Sequence, residues 1–296
     1  MLLERITNFC KDEYEYYSSK DSCLKCKNLD WSSEKYDICK KCLEDVHFQA
    51  INENMNYDCI NMINYYTCCY SFKYTSEILY LMKESTCLKR LNTYNIVSFG
   101  CGPCTDLMAF EKYNKRSNKQ IKYIGIDNNV LWKAIHKKII DYTDNTAIKA
   151  HFIYKDALDI FSAKKCKGVN VIVLQYFISS LYNNGQINEI DNFFDLLINN
   201  IISYKSNDEP FVIMINDVNS NNRGRDYFLD LFKKLEQAGF NCDCNKFYFE
   251  TEYINEYQRY GNMHSCNSIL FDIHDNFSEY HAWKNCTSAQ LLIEIK

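Results

Sequence analysis

The sequence predicts an α/β protein built on a mostly parallel sheet, with a small helical module ahead of it. Residues 95–99 form a continuous strand-like run that enters a glycine turn, Gly100-Cys101-Gly102-Pro103-Cys104, and then a helix opening at Thr105-Asp106. A second strand-like run, residues 121–126, follows about one helix later and stops at Asp127. The alternation strand, helix, strand points to parallel pairing. In an open α/β sheet the ligand lies outside the carboxyl ends of the strands, which is where the turn and Asp127 fall.

From the amino end, residues 1–70 carry Tyr14, Tyr16 and Tyr17, a cysteine-rich stretch, and a helical pattern through Phe48, Ile51 and Met55. Over residues 75–91, Ile78, Leu79, Met82, Leu88 and Leu91 recur at helical spacing. Residues 106–113 read as the first crossover helix and 129–140 as the second, with a short third strand at 152–154. Residues 169–174 are uninterruptedly apolar, as a strand covered on both faces should be. An amphipathic helix over 188–204, a fifth strand at 210–215, and a helix over 226–238 stopped by Gly239 continue the pattern. Two β-rich runs, 246–251 and 268–273, are separated by a polar loop, and 291–295 is expected as an additional edge strand.

Composition bounds the organisation. With 296 residues, 47% apolar and 15% aromatic, the chain can bury a full core and hold one large domain plus an appendage. The expected division is 1–72 and 73–296. A net charge of −4 provides no global attraction to polyanions. No 18-residue apolar run occurs, and Met1-Leu2-Leu3-Glu4-Arg5 is no signal-peptide core, so a soluble, cytoplasmic protein with no membrane partner is expected.

Sixteen cysteines without a secretory signal read as thiols and metal ligands rather than as a disulfide frame. Cys23-Leu24-Lys25-Cys26 and Cys39-Lys40-Lys41-Cys42 are two Cys-x2-Cys pairs whose spacing can bring four thiolates to one tetrahedral zinc ion. His47 could replace one of them. A closed site of this kind stabilises structure and leaves no coordination position for activating water. Cys68-Cys69 read as core residues, and Cys242 and Cys244 as one side of a strand.

A nicotinamide or flavin site would need a third glycine at the position of Thr105. The strand, Gly-x-Gly turn, helix and acid-terminated next strand instead resemble the class I S-adenosylmethionine-dependent methyltransferases, over roughly residues 74–296. The resemblance implies a doubly wound, mostly parallel seven-stranded sheet with an antiparallel C-terminal strand. It implies that Gly100 and Gly102 admit the cofactor's amino-acid end and that Asp127 binds the ribose hydroxyls. Asp156 and Ala157 fall near the expected adenine position. The full cofactor set so implied is Gly100, Cys101, Gly102, Asp106, Asp127, Asn128, Asp156, Ala157 and Gln175. Cys104 stands where a third glycine is common in the family.

Methyl transfer by direct displacement needs alignment and desolvation, sometimes with one general base. Gln175-Tyr176-Phe177-Ile178 follows the fourth strand without the prolines of amino-methylating nucleic-acid enzymes. Tyr176 and Asp217 are the candidate catalytic residues, Asp217 as base from the carboxyl end of the fifth strand, with turn capping as its alternative role. Arg223 and Arg225 could meet an anionic acceptor group. Three functions follow: a methyltransferase whose zinc module helps present an unidentified acceptor, an RNA-directed version using lysines around the cysteine pairs, and a methyltransferase-like scaffold without turnover. Acidic residues around those lysines nearly cancel their charge, which ranks RNA second.

Overall fold

The computed structural model describes residues 1–18, 35–47, 57–161, 165–220, 224–251 and 256–296. Five strands run parallel: β1 (Tyr94–Phe99), β2 (Ile121–Ile126), β3 (Ile148–Ile153), β4 (Val171–Gln175) and β5 (Phe211–Val218). They belong to an eight-stranded sheet of order β3-β2-β1-β4-β5-β8-β6-β7, completed by β6 (Cys242–Tyr248), β7 (Asn262–Met263) and β8 (Ser288–Ile295). The order reverses between β1 and β4, which opens a crevice at their carboxyl ends.

Period-two alternation sorts the strand side chains into two cores. Val171 and Val173 of β4 face one layer, together with Ile96, Tyr123 and Met214. Ile172 and Leu174 face the other, with Phe99, Ile213 and Ile293. The first layer is covered by α1 (Leu2–Ser18), α3 (Ile60–Glu84), α5 (Thr105–Asn114) and α6 (Lys133–Thr143); the second by α8 (Ile178–Asn183), α9 (Ile187–Asn200) and α10 (Phe228–Gln237). Three further helices are α2 (Lys35–His47), α4 (Cys87–Arg90) and α7 (Ala157–Phe161). α1 buries Leu3, Ile6, Cys10 and Tyr14 at helical spacing and so needs α3 as its partner.

Several expectations are corrected. The sheet has eight strands, the extra one being the two-residue β7 beside β6. Residues 268–273 form no strand; Ser268 makes one isolated bridge to Asn285. β8 is not an edge but is inserted antiparallel between β5 and β6. Its Glu294 is buried and accepts hydrogen bonds from Ser85 Oγ at 2.6 Å and Cys87 N at 2.7 Å, fastening the C-terminal strand to the start of α4. The boundary expected between residues 72 and 73 falls inside α3, which runs unbroken through it. Cys23, Cys26 and the pattern through Phe48, Ile51 and Met55 lie outside the described residues, as do Arg223 and the side chain of His47. Among the described residues no helix is long and apolar enough to cross a membrane.

Candidate functional site

At the carboxyl end of β1 the chain makes three left-handed residues in quick succession: Gly100 (φ 60°), Gly102 (φ 46°) and Cys104 (φ 63°). Glycine tolerates this backbone without penalty. At Gly100 a Cβ would also stand 2.9 Å from Phe177 Cδ2, so the turn can pass there only without a side chain. The turn is tied to the next strand by Cys101 N donating to Ile126 O at 3.1 Å. Cys104 caps α5, its carbonyl accepting from Met108 N at 3.1 Å.

Asp127 completes this corner. Its Oδ2 accepts from Gly102 N at 2.9 Å and its Oδ1 from Asn129 N at 2.9 Å, so the carboxylate spans the glycine turn and the segment leaving β2. Burial raises the pKa of the Asp127 carboxyl, opposed by these two backbone donors. Asn129 in turn accepts from Leu131 N and donates to Tyr57 O, seating Trp132 beside Gly102.

A cavity of about 1020 Å³ opens over this corner. That is the upper end of the range for small-molecule sites, roughly 300–1,000 Å³. Gly100, Gly102, Asp127, Asn128, Asp156, Ala157, Gln175 and Tyr176 all line it. Cys101 and Asp106 do not line it. Cys101 is buried behind the turn, and Asp106 accepts from Tyr123 Oη at 2.9 Å within the core, where burial raises its pKa.

Past β4 the cavity becomes aromatic. Gln175 is fixed at both ends: its Oε1 accepts from Thr105 Oγ1 at 2.6 Å and its Nε2 donates to Tyr74 O at 2.9 Å. Tyr176 adopts φ 54°, an uncommon conformation for a bulky residue. It is held there by its N–H on Asn216 O at 2.8 Å and its hydroxyl on Glu77 Oε2 at 2.9 Å. Its ring lies 4.2 Å from that of Tyr74. Lys73 Nζ sits over the rings of Trp283, Tyr74 and Tyr176 at 4.7, 5.4 and 5.6 Å.

Glu77 is fully buried and satisfies four donors: Tyr176 Oη and Asn216 Nδ2 on one oxygen, Thr287 N and Ser288 N on the other. The sequence reading missed Glu77, Lys73 and Tyr74. Their signal was the four-residue spacing of Tyr66, Tyr70 and Tyr74 and of Lys73 and Glu77, which begins ahead of the helical pattern expected over residues 75–91.

Asp217 differs from its expected role. Its Oδ2 accepts from Ser179 N at 3.0 Å and its Oδ1 from Val218 N at 2.7 Å, and it is absent from the cavity wall. Along β5, Asn216 points to α3 and Asp217 to α8, as alternate residues must. Burial pushes its carboxyl up to about 6 against the pull of the Ser179 and Val218 donors. Arg225 is likewise buried, its guanidinium on Asn219 Oδ1 at 2.8 Å.

α2 walls the far side of the cavity through Lys40, Leu43 and Glu44. Cys39 and Cys42 are one helical turn apart on α2, and Cys39 is packed into the main core. Behind the glycine turn, Cys101, Cys104 and His136 come together. Burial pushes the Cys104 thiol up, but the Cys101 hydrogen bond and the His136 ring outweigh it and bring it down to about 7.

No protein-family model and no curated protein matches the chain. Among solved structures, the plantazolicin methyltransferase BpumL in complex with SAH is 17% identical, with a TM-score of 0.44 over 89% of this chain and 98% of that one. BpumL in complex with a pentazolic desmethylPZN analog and SAH is 16% identical, with a TM-score of 0.46 and the same coverage. WbdD, co-crystallised with the kinase inhibitor LY294002, is 14% identical, with a TM-score of 0.41 over 73% of this chain and 40% of WbdD. These are distant similarities of overall shape.

Proposed function

We propose that the chain is an S-adenosylmethionine-dependent methyltransferase, with the cofactor laid along the carboxyl ends of β1, β2 and β4. The observation that carries this reading is the Asp127 carboxylate fixed between the Gly102 and Asn129 amides on the wall of a cavity large enough for two ligands. The donor set fits the group: a glycine turn crowded against side chains at residue 100 beside a carboxylate at the cavity wall, with no third glycine for a pyrophosphate. When bound, the cofactor supplies an electrophilic methyl on a sulfonium.

The chain's own residues orient and dry the reaction. Gly100 and Gly102 admit the amino-acid end, Asp127 takes the ribose, and Asp156 and Ala157 flank the base. Gln175, held by Thr105 and Tyr74, sets the boundary between cofactor and acceptor. The acceptor occupies the aromatic chamber formed by Tyr74, Tyr176 and Trp283. Its walls favour a flat group, and Lys73 already fills the cation position over those rings, which disfavours a cationic acceptor. Tyr176 contacts the acceptor through its ring, while Glu77 is a positioning residue acting through the Tyr176 hydroxyl. Asp217 positions α8 rather than taking a proton. α2 lies over the acceptor side, so a four-cysteine zinc site made with Cys39 and Cys42 would brace that wall.

Trp132 reports on the cofactor directly because its ring lies beside Gly102. S-adenosylmethionine is expected to produce a saturable change in tryptophan emission that disappears in Trp132→Phe. A response to NADH in place of S-adenosylmethionine, or to neither, overturns the assignment.

A further inference from the structure

Three metal-capable side chains meet behind the glycine turn, outside the cavity: Cys101 and Cys104 from the turn and His136 from α6. One potential ligand atom from each lies within 4.8 Å of those of the other two, and all three residues are buried. We propose that they bind a single zinc(II) ion that staples the cofactor turn to α6. The proposal does not depend on which cofactor the cavity takes.

One ligand pair already stands close to coordination spacing. Cys101 and Cys104 span a Cys-x2-Cys turn closed by Cys104 N donating to Cys101 O at 2.8 Å. Tetrahedral zinc with ordinary Zn–S and Zn–N bonds places S and N about 3.6 Å apart. Cys101 Sγ and His136 Nε2 are 3.9 Å apart, so a contraction of a few tenths of an ångström suffices. Cys101 Sγ sits against bare β2 backbone: a Cβ at Gly125 would come within 2.8 Å of it. Space for this sulfur therefore exists only because residue 125 is glycine.

The imidazole is already oriented as a ligand. Its ring stacks on Phe152 at 4.0 Å and 9°, and its Nδ1 lies 3.0 Å from Tyr154 Oη. Metal-bound histidines generally hold their second nitrogen in such a hydrogen bond. In the metal-free arrangement Nε2 is 2.7 Å from Gly102 O and therefore carries the hydrogen. On binding, the ring takes the other tautomer: Nδ1–H donates to Tyr154 Oη, the Nε2 lone pair goes to zinc, and two thiol protons leave to solvent. The ion's two positive charges are then matched by two thiolates, so the buried cluster remains neutral. The Gly102 carbonyl, freed from His136, is at hand for the fourth position. Because Gly102 N donates to Asp127, an ion here also braces the carboxylate at the cavity wall.

Cobalt(II) is the probe, titrated into full-length protein by absorbance. Cys23, Cys26, Cys39 and Cys42 could hold a second ion, so the titration is repeated in a Cys23→Ser/Cys26→Ser/Cys39→Ser/Cys42→Ser background. One equivalent is expected in that background, with thiolate-to-cobalt charge-transfer absorption. In the otherwise native chain, Cys101→Ser/Cys104→Ser should remove one equivalent. His136→Gln can still donate to Gly102 O, and should weaken cobalt binding at least tenfold while keeping the native circular dichroism spectrum. Unchanged stoichiometry in the double serine variant, or unchanged affinity in folded His136→Gln, overturns the site.

Discussion

Asp127 and Asp217 both stand at the carboxyl edge of the parallel strands, and the chain uses them differently. Asp127 bridges the Gly102 and Asn129 amides at the cavity wall, whereas Asp217 bridges amides of α8 and its own strand away from that wall. The Asp217 carboxyl is raised from 3.8 to about 6, chiefly by burial. Between those values the folded state binds more protons than the unfolded state, so this group's contribution to stability falls as pH rises from about 4 to about 6. The whole displacement corresponds to roughly 3 kcal/mol. Asp217→Asn abolishes the titration, so its stability relative to wild type should rise across that window and level off above it. Urea denaturation at half-unit pH steps measures the difference; a constant difference between pH 4 and 7 contradicts the assignment. The placement of Asp127 was legible in the sequence, because a strand end after a glycine turn has one orientation. That of Asp217 was not, because a single step of strand alternation decides which helix it meets.

At the scale of elements, α3 is the piece on which the site depends. It is buried along nearly its whole length despite carrying Lys73, Thr75, Ser76 and Glu77. Glu77 joins it to β5, to Tyr176 and to the amides at the start of β8. Glu77→Gln points an amide donor at groups that are themselves donors. It should cost about 2–4 kcal/mol in denaturant unfolding and release Tyr176 from its left-handed conformation. A loss below about 0.5 kcal/mol would show that the network is incidental. Most strands and helices of residues 94–238 were legible, since turn residues punctuate clean apolar runs there. β8 was misplaced because sequence order says nothing about insertion between β5 and β6. Residues 268–273 are apolar for another reason: Ile269, Leu270 and Phe271 pack against the main core without joining the sheet.

For the whole molecule, one continuous core links α1, α2, α3, α5, α6 and the sheet. α2 and the glycine turn both line the cavity. Cys-x2-Cys spacing stands in the sequence at Cys39/Cys42 and at Cys101/Cys104 alike, whereas His136 joins the second pair only through the crossover that brings α6 behind β1. The proposed S-adenosylmethionine site rests on Asp127 and the glycine turn. Calorimetric titration with S-adenosylhomocysteine tests it most directly, comparing wild type with Asp127→Ala. One site per chain is expected in the wild type and at least a tenfold weaker affinity in a variant that keeps its fold, in line with losing hydrogen bonds to a charged acceptor. Absence of heat with the wild type, or equal affinity in the two proteins, would contradict it.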